Sequence, residues 1–468
     1  MIKQIHDFID SRKDEMIRLL QELIRIPSYQ QPAEPGYPFG RGPAQALAAA
    51  LAAAERMGFT VRNFENYAGT VDLGSGEPLL GILSHLDVVP EGSGWSVDPY
   101  VGIVTDGKVI GRGAIDDKGP SVAALYAMLA VRELGIPLQG NVRLILGTNE
   151  ENGSKDIEYY ESVQKMPPLL FTPDGDYPVI HIEKGMLRTR FSASYTEEPK
   201  EKRILWIRGG KTINAVPAEA EAAVQGIDAE EAKRWIAEDT SGVTFTTAEE
   251  NGILTIHAAG SGAHASTPEQ GKNALTALIQ LLCRFSLPSG DGLNKLRALL
   301  EIFPYGETDG RGASLANWDE KSGALTLVFS VFSYADGKME GWTDIRFPLC
   351  CSLEQVQQKL RQALESAGFC IEEMMGDEPH HVEEDSHFVQ SLLKVYTEET
   401  GLPGFCKAIG GGTYVHHTPG GVAFGAVFPG EDNHMHGADE FITIEHLLLN
   451  AKIFAHAIAE ICGPKTAK

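Results

Sequence analysis

The sequence predicts an α/β protein, with a central mixed, mainly parallel sheet flanked by helices and an inserted α+β domain. Three observations carry this. Apolar runs ("PLLGILSH", "NVRLILGT", "LLFTPDG") alternate with helix-patterned stretches early in the chain, as crossover helices require between parallel strands. From about Leu187 to Glu384 the strands alternate instead and look half-buried ("MLRTRFSASY", "NGILTIHAAG", "GALTLVFSVFSY"). The remaining residues return to the first style. The domains are therefore read as 1–186 with 385–468, interrupted by 187–384.

Taken in order, residues 1–30 read as one helix: Ile5, Phe8, Ile9, Met16, Leu19, Leu20 and Ile24 recur at helical spacing, and Pro27 closes it. A Pro- and Gly-rich loop runs from Gln31 to Gly42, followed by a second helix to about Met57. Between the first two apolar strands lies "GPSVAALYAMLAVRELG", a helix with Pro120 in its first turn and Gly135 after its end. Inside the insertion, "AEAEAAVQGIDAEEAKRWIAE" and "TDIRFPLCCSLEQVQQKLRQALE" each read as a strand, a polar break with Asp or Ser as N-cap, and an amphipathic helix. They look like one unit used twice, against the plain alternative of two unrelated βα pieces. The chain closes with the helix "SHFVQSLLKVYTEETG", Gly-rich "AIGGGTYVHHTPGG", the strand "VAFGAVFPG" and the helix "TIEHLLLNAKIFAHAIAEI".

Bulk composition excludes several classes. The chain has 468 residues, 43% of them hydrophobic and 22% charged, with 50 Gly and 25 Pro; so many turn formers suit an α/β enzyme better than a helix bundle. A net charge of −24 argues against nucleic acid and anionic membrane surfaces as partners. The six Cys form no CxxC pair, as expected of reduced thiols in the cytoplasm. The N-terminus lacks an apolar signal core, and the Ala-rich stretch before Met57 is too short and too polar at its ends to span a bilayer. A soluble cytoplasmic protein is expected.

The apolar strands end in unexpected polar groups. In "GILSHLDVVP", His85 and Asp87 share one strand face, which suits a ligating imidazole backed by an acceptor; a satisfied core His with an Asp turn cap is the plain alternative. In "GRGAIDDKGP", Asp116 and Asp117 are adjacent, and helix capping needs only one of them. Glu150 and Glu151 close "LILGTNEENG" and face opposite sides, so one could bind a metal while the other reaches a bound water. Asp174 closes "LLFTPDGDYP", and "FPGEDNHMHGADEFITIEH" brings His434, His436, Asp439 and Glu440. Ordinary exposed turns would explain the Glu150–Glu151 and Asp174 strand ends alone. Together the carboxylates and histidines converge at the carboxyl ends of strands, where so many acids cannot cluster without cations. Oxygen and nitrogen donors without thiolate point to Zn²⁺, Mn²⁺ or Co²⁺, and their surplus points to two ions sharing a carboxylate and a water, which serves hydrolysis.

The motifs "SHLDVVP", "WSVDPYVGIVTDGKVIGRGAIDDKGP", "TNEENGS", "TPDGDYPVIHIEKG" and "MHGADEFI" resemble the aminoacylase and carboxypeptidase G superfamily of co-catalytic zinc peptidases, over nearly the whole chain. The long insertion and "GRGAIDDKGP" look closest to its dipeptidase V and Xaa-His dipeptidase branch. The resemblance implies a zinc-peptidase-like catalytic domain with a lid. It implies that His85 and Asp174 bind one ion, that Glu151 and His436 bind the other, and that Asp116 bridges them. Asp87 would orient His85, Glu150 would be the general base, and His434 a loop residue. In the lid, Asn214 of "GGKTINAVPAEAEA" and His264 of "GSGAHASTPEQGKNA" would stabilise the oxyanion, and Arg346 of "TDIRFP" would hold the substrate carboxylate. A plain helix start at Pro268 and a surface strand arginine are the competing readings. A doubled lid would supply its histidine in cis, so a monomer is expected. One departure stands out: relatives usually carry an arginine soon after "GGTY", where this chain has His416, followed by His417.

The expected activity is metal-dependent hydrolysis of dipeptides with a free amino terminus, zinc being the first choice of ion and manganese or cobalt the alternatives. An N-acyl amino acid or succinyl-diamino acid amidohydrolase is the rival within the superfamily. A metal-free binding protein is the rival outside it, and the presence of Glu150, Asp116 and His436 counts against that.

Overall fold

The computed structural model describes residues 1–196 and 201–464. The chain divides into two compact units. One comprises Met1–Ile182, His381–Lys407 and Gly412–Lys468; the other comprises Glu183–His380 and Ala408–Gly411.

The first unit is built on a mixed sheet whose strands begin, from one edge, in the order Thr60–Phe64, Ala68–Asp72, Asn141–Gly147, Pro78–His85, Leu169–Thr172, Gly421–Ala423 and Val179–Glu183. Pro78–His85 is parallel to both its neighbours, and Leu169–Thr172 is parallel to Gly421–Ala423. The two N-terminal strands form an antiparallel hairpin that joins Asn141–Gly147 at the edge. The expected mixed sheet with a parallel centre is therefore present.

Burial explains the apolar runs. Along Pro78–His85, Leu80 and Ile82 belong to a large core shared with helices on one face, while Leu83 packs on the other with Ile145, Tyr160, Leu170 and Tyr414. A strand covered on both faces must be apolar throughout. Ser84 falls on the helix side, where its Oγ lies 2.5 Å from Ser121 Oγ of the helix Lys118–Glu133. That helix starts one residue before the sequence-predicted stretch and ends inside it, and Gly135 follows it at a φ of 62°.

Two expected elements need correction. Residues 1–30 form two helices, Ile2–Ser11 and Lys13–Ile24, broken at Arg12 with φ −100° and ψ 3°. The break lets Ile5 and Ile9 of the first and Met16, Leu19 and Leu23 of the second bury in the same core. The second helix stops at Ile24, ahead of the Ile26–Pro27 step that disfavours helical backbone. Of "VAFGAVFPG" only Val422 and Ala423 are strand, in Gly421–Ala423, and Gly425 turns the chain at a φ of 88°.

The second unit is an eight-stranded antiparallel sheet in the order Thr244–Glu250, Ile253–Ala259, Glu219–Gln225, Arg203–Gly209, Thr326–Ala335, Lys338–Phe347, Gly185–Ser194, Cys370–Asp377. Gly185–Ser194 alternates buried and partly exposed residues, as its sequence predicts. Both βα pieces form: Glu219–Gln225 leads to Ala229–Ala237 capped by Asp228, and Lys338–Phe347 leads to Leu353–Ser366 capped by Ser352 in a capping box with Gln355. Each piece also holds the same place in the sheet. Its strand lies directly beside the central Arg203–Gly209/Thr326–Ala335 pair, and the strand after its helix lies at the edge.

Candidate metal centre

Neighbouring parallel strands end together at one edge of the first unit's sheet. His85 closes its strand opposite Gly147, the last residue of Asn141–Gly147. Glu150 and Glu151 begin the single-turn helix Glu150–Asn152 just beyond, and Asp174 follows Leu169–Thr172. Asp116 reaches this edge from the segment before Lys118–Glu133, and His436 from the turn before Phe441–Thr443.

Asp116 is the common member. Its Oδ1 lies 3.0 Å from His85 Nε2, and its Oδ2 lies 2.8 Å from His436 Nε2. His85 Nε2 is also 3.6 Å from Asp174 Oδ2, and His436 Nε2 is 3.3 Å from Glu151 Oε2. The donor atoms fall into two groups, His85–Asp116–Asp174 and Asp116–Glu151–His436, each mutually within 4.8 Å. Among the described residues, these are the groups of three or more potential ligands that converge in this way.

The electrostatics reflect crowding of acids in a dry place. Burial opposes charge on His85, yet the facing carboxylates of Asp116, Asp174 and Asp87 outweigh it and hold the imidazole well above its ordinary value. Hydrogen bonds to Asp116 and Glu151 push His436 up to about 11. Burial and then the Asp116 charge raise Glu151 to about 7, and the same causes raise Asp174. Burial, then Asp174, raises Glu150 well above the usual carboxylate range. For Asp116, burial is outweighed by the two histidines, which lower it.

Whether these residues fit a cation can be judged from their unmade bonds. Glu151 Oε1 is buried without a hydrogen-bond partner, and His85 Nε2 is buried facing the carboxylates of Asp116 and Asp174, a costly state for the acids unless a cation pairs with them. Imidazole and carboxylate donors without thiolate suit Zn²⁺ and its neighbours. The set fits divalent cations.

The surrounding groups fix these side chains. His85 Nδ1 donates to the main-chain oxygen of Asp87 at 3.0 Å, which turns Nε2 toward Asp116 and Asp174. The carboxylate of Asp87 is 3.5 Å from that ring nitrogen; it accepts instead from the amides of Glu150 (3.1 Å) and Glu151 (3.2 Å). Asp117 stands at the N-cap position but makes no capping bond; it accepts from Ser84 Oγ and, at 3.3 Å, from the His85 amide. Asp156 accepts from the Tyr414 hydroxyl and from the amides of Thr148 (2.5 Å) and Asn149 (2.8 Å), bracing the chain into the Glu150 turn. His434 turns its Nδ1 to the Ala438 carbonyl at 3.2 Å. His416 and His417 lie in the short helix Tyr414–His417 with ring centres 5.2 Å apart.

In the second unit, Asn214 and His264 are brought together: Ala215 bridges to His264, and the Ala265 amide donates to the Asn214 carbonyl at 2.9 Å. The His264 ring nitrogen Nδ1 is 2.7 Å from Ser266 Oγ. Arg346 is buried, with Nε and Nη2 donating to Asp344 at 2.6 and 3.1 Å and Nη1 donating to the Gly410 carbonyl at 2.8 Å.

Sequence reasoning missed Asp156, Tyr414, Arg112 and the contacts of Glu440. The one available signal was an acid, Glu440, directly before the apolar run "FITI".

Imidazoles and carboxylates gathered around one shared aspartate, at the strand ends of an open α/β sheet, define a metal-dependent hydrolase. The model of peptidase family M20/M25/M40 matches residues 81–460, and the chain belongs to that family of peptide-bond hydrolases. The superfamily expected from the motifs is thus the right one. The chain is 35% identical to the putative dipeptidase YtjP of Bacillus subtilis (strain 168) over 457 residues, 96% of this chain and 98% of the relative. It is 35% identical to the Beta-Ala-Xaa dipeptidase of Lactobacillus delbrueckii subsp. lactis over 469 residues, 97% of each. Among solved structures it shares the fold of human carnosine dipeptidase 1 (TM-score 0.58, 17% identity, 98% and 99% of the two chains). It shares it also with aminoacylhistidine dipeptidase from Vibrio alginolyticus (TM-score 0.59, 15% identity, 96% of each). Among the described residues, no helix is long and apolar enough to cross a membrane.

Proposed function

We propose that this protein is a dipeptidase that uses two divalent cations to hydrolyse dipeptides with a free amino terminus. The observation that carries this is Asp116, which presents one oxygen to each of two imidazoles. The dipeptidase names of full-length relatives support the substrate class.

His85 and Asp174 would hold one cation and Glu151 and His436 the other, with Asp116 able to serve both groups. Zinc is the first choice, and manganese or cobalt suits the same donors. Bound there, the cations supply a water that ionises near neutral pH and a Lewis acid for the scissile carbonyl. Glu150, outside both ligand groups and fixed at its amide by Asp87, takes the water's proton and returns it to the leaving amine. His264 and Asn214 stabilise the oxyanion, and Arg346 holds the substrate carboxylate through N–H groups not given to Asp344 or Gly410. In this reading 1–186 and 385–468 form the catalytic domain and 187–384 the lid. The lid's two similar βα pieces support a monomer with His264 supplied in cis; the proposed location is the cytoplasm.

The test is hydrolysis of a dipeptide panel and of N-acetyl amino acids by chelator-stripped protein, with Zn²⁺, Mn²⁺ or Co²⁺ restored, beside Glu150→Ala. Dipeptide cleavage that returns with metal and is lost in the variant is expected. Cleavage of acetylated amino acids alone would make the protein an amidohydrolase instead.

A further inference from the structure

Two fully buried opposite charges lie beside the candidate centre without touching its donor atoms. Arg112 is 1% exposed and Glu440 0%, with Arg112 Nη1 donating to Glu440 Oε2 at 2.6 Å. Arg112 is itself fixed: Nη2 donates to the Glu91 carbonyl at 3.2 Å, and the guanidinium lies 5.2 Å from the Trp95 ring centre. Burying such a pair is weak evidence of a stabilising role, because desolvation offsets the attraction. Its geometry is more specific. The other oxygen of Glu440, Oε1, accepts from the amides of Ile115 (3.0 Å) and Asp116 (3.3 Å). One side chain therefore grips the segment that carries Asp116 while belonging to the segment that carries His436.

The main-chain bonds that join the two segments do not themselves reach Asp116. Phe441 pairs with Ile110 and the Gly111 amide donates to the Glu440 carbonyl at 2.9 Å, but this ladder stops at Gly111, short of Asp116. On the other strand of the contact, His434, His436 and Asp439 sit at φ of 58°, 59° and 58°, the left-handed region that non-glycine residues enter at a cost. The His436 side chain is 53% exposed, so packing does not hold it. A strained, exposed turn keeps its shape only when tethered at its ends. Asp439 Oδ1 accepts from the Ser96 amide at 2.9 Å, and Glu440 follows directly with its grip on Ile115 and Asp116.

We infer that Glu440, held in place by Arg112, is a positioning residue that sets the separation of Asp116 from His436 and thereby the geometry of the second cation's ligands. This rests on the two-cation reading above.

The experiment is calorimetric titration of metal-free protein with Zn²⁺, together with a count of bound ions, for wild type, His436→Ala, Glu440→Gln and Glu440→Ala. Removing one member of a buried pair can unfold a chain. An apolar replacement of both, Arg112→Met with Glu440→Leu, is therefore carried alongside, and folding is checked by circular dichroism. Wild type is expected to bind two ions, and His436→Ala one tightly. The Glu440 variants and the double variant are expected to keep the first affinity and lose roughly 10–100-fold in the second, as outer-shell substitutions do. A folded variant with both affinities intact, or with both reduced equally, overturns the inference. Wild type binding fewer than two ions overturns the two-cation reading and this inference with it.

Discussion

Asp87 Oδ2 lies 3.2 Å from the amide nitrogen of Glu151 and accepts its hydrogen bond. Its Oδ1 does the same for Glu150, so one carboxylate seats both the proposed base and a proposed ligand. Asp87→Asn keeps one acceptor and turns an N–H toward the other amide, whereas Asp87→Ala leaves both amides unpaired. Steady-state kinetics should show kcat/KM falling roughly 10–100-fold in the Asn variant and further in the Ala variant.

Glu150→Gln keeps the size and the amide contact of Glu150 but cannot accept a proton. We expect kcat to fall by about 10²–10⁴ with KM little changed. Zinc titration should still count two ions, since Glu150 belongs to neither donor group.

Far from the site, Glu399 is clasped between His6 Nε2 (2.7 Å) and His456 Nδ1 (2.8 Å), joining Ile2–Ser11, His387–Thr400 and Ile444–Cys462. Burial alone would raise its carboxyl; the His456 hydrogen bond and the charge and hydrogen bond of His6 outweigh it and lower the pKa. A carboxylate lowered in the folded state contributes stability above its unfolded pKa of about 4.3, and loses it as pH falls through the folded value. Glu399→Gln should therefore cost about 1–3 kcal/mol at pH 7. In thermal melts its gap to wild type should narrow below about pH 4.

A methyl group at Gly147 would overlap the Tyr414 hydroxyl and the Asp156 carboxylate. Gly147→Ala should destabilise by about 1–3 kcal/mol through overpacking. Tyr414→Phe removes the hydroxyl in the way, so the Gly147→Ala/Tyr414→Phe pair should be less destabilised than the sum of the single changes. Denaturant melts of the four proteins would measure this coupling.

Stripping cations should lower the melting temperature, because the apo centre leaves Asp174, Glu151 and Glu150 crowded and buried. Restoring Zn²⁺ at about 100 times its Kd should return about 2.7 kcal/mol per site. In His436→Ala the gain should shrink by one site's share.

The strand-end groups were legible because burial makes them expensive: His85, Glu150 and Asp174 each close an apolar run, and an apolar run has no use for them without a partner. Asp87 was legible as important but not in its contact. Two-residue periodicity puts its carboxylate beside the His85 ring, yet the strand ends at His85, and past that point alternation no longer governs where a side chain points. Only the main-chain oxygen of Asp87 bonds the ring. The Thr60–Phe64 strand escaped notice because it is a mostly exposed edge with no apolar run to announce it. Arg112 and Glu440 pair across most of the chain, and nothing local to either residue encodes that. The break at Arg12 was hidden because the apolar spacing on its two sides reads as one stripe.

The two halves of the centre differ in access. The His85 side chain is sealed from solvent and Asp174 nearly so, while His436 is half open. With cations bound as proposed, the inner one, held by His85, would be the more enclosed, and the outer one, held by His436, would have a half-open imidazole on its way to the medium. Full occupancy then follows the free metal around the molecule, and a chelator or a scarce supply silences the outer position first. Turnover would be throttled by cation availability while the fold, braced by the retained inner ion, persists for rapid reloading.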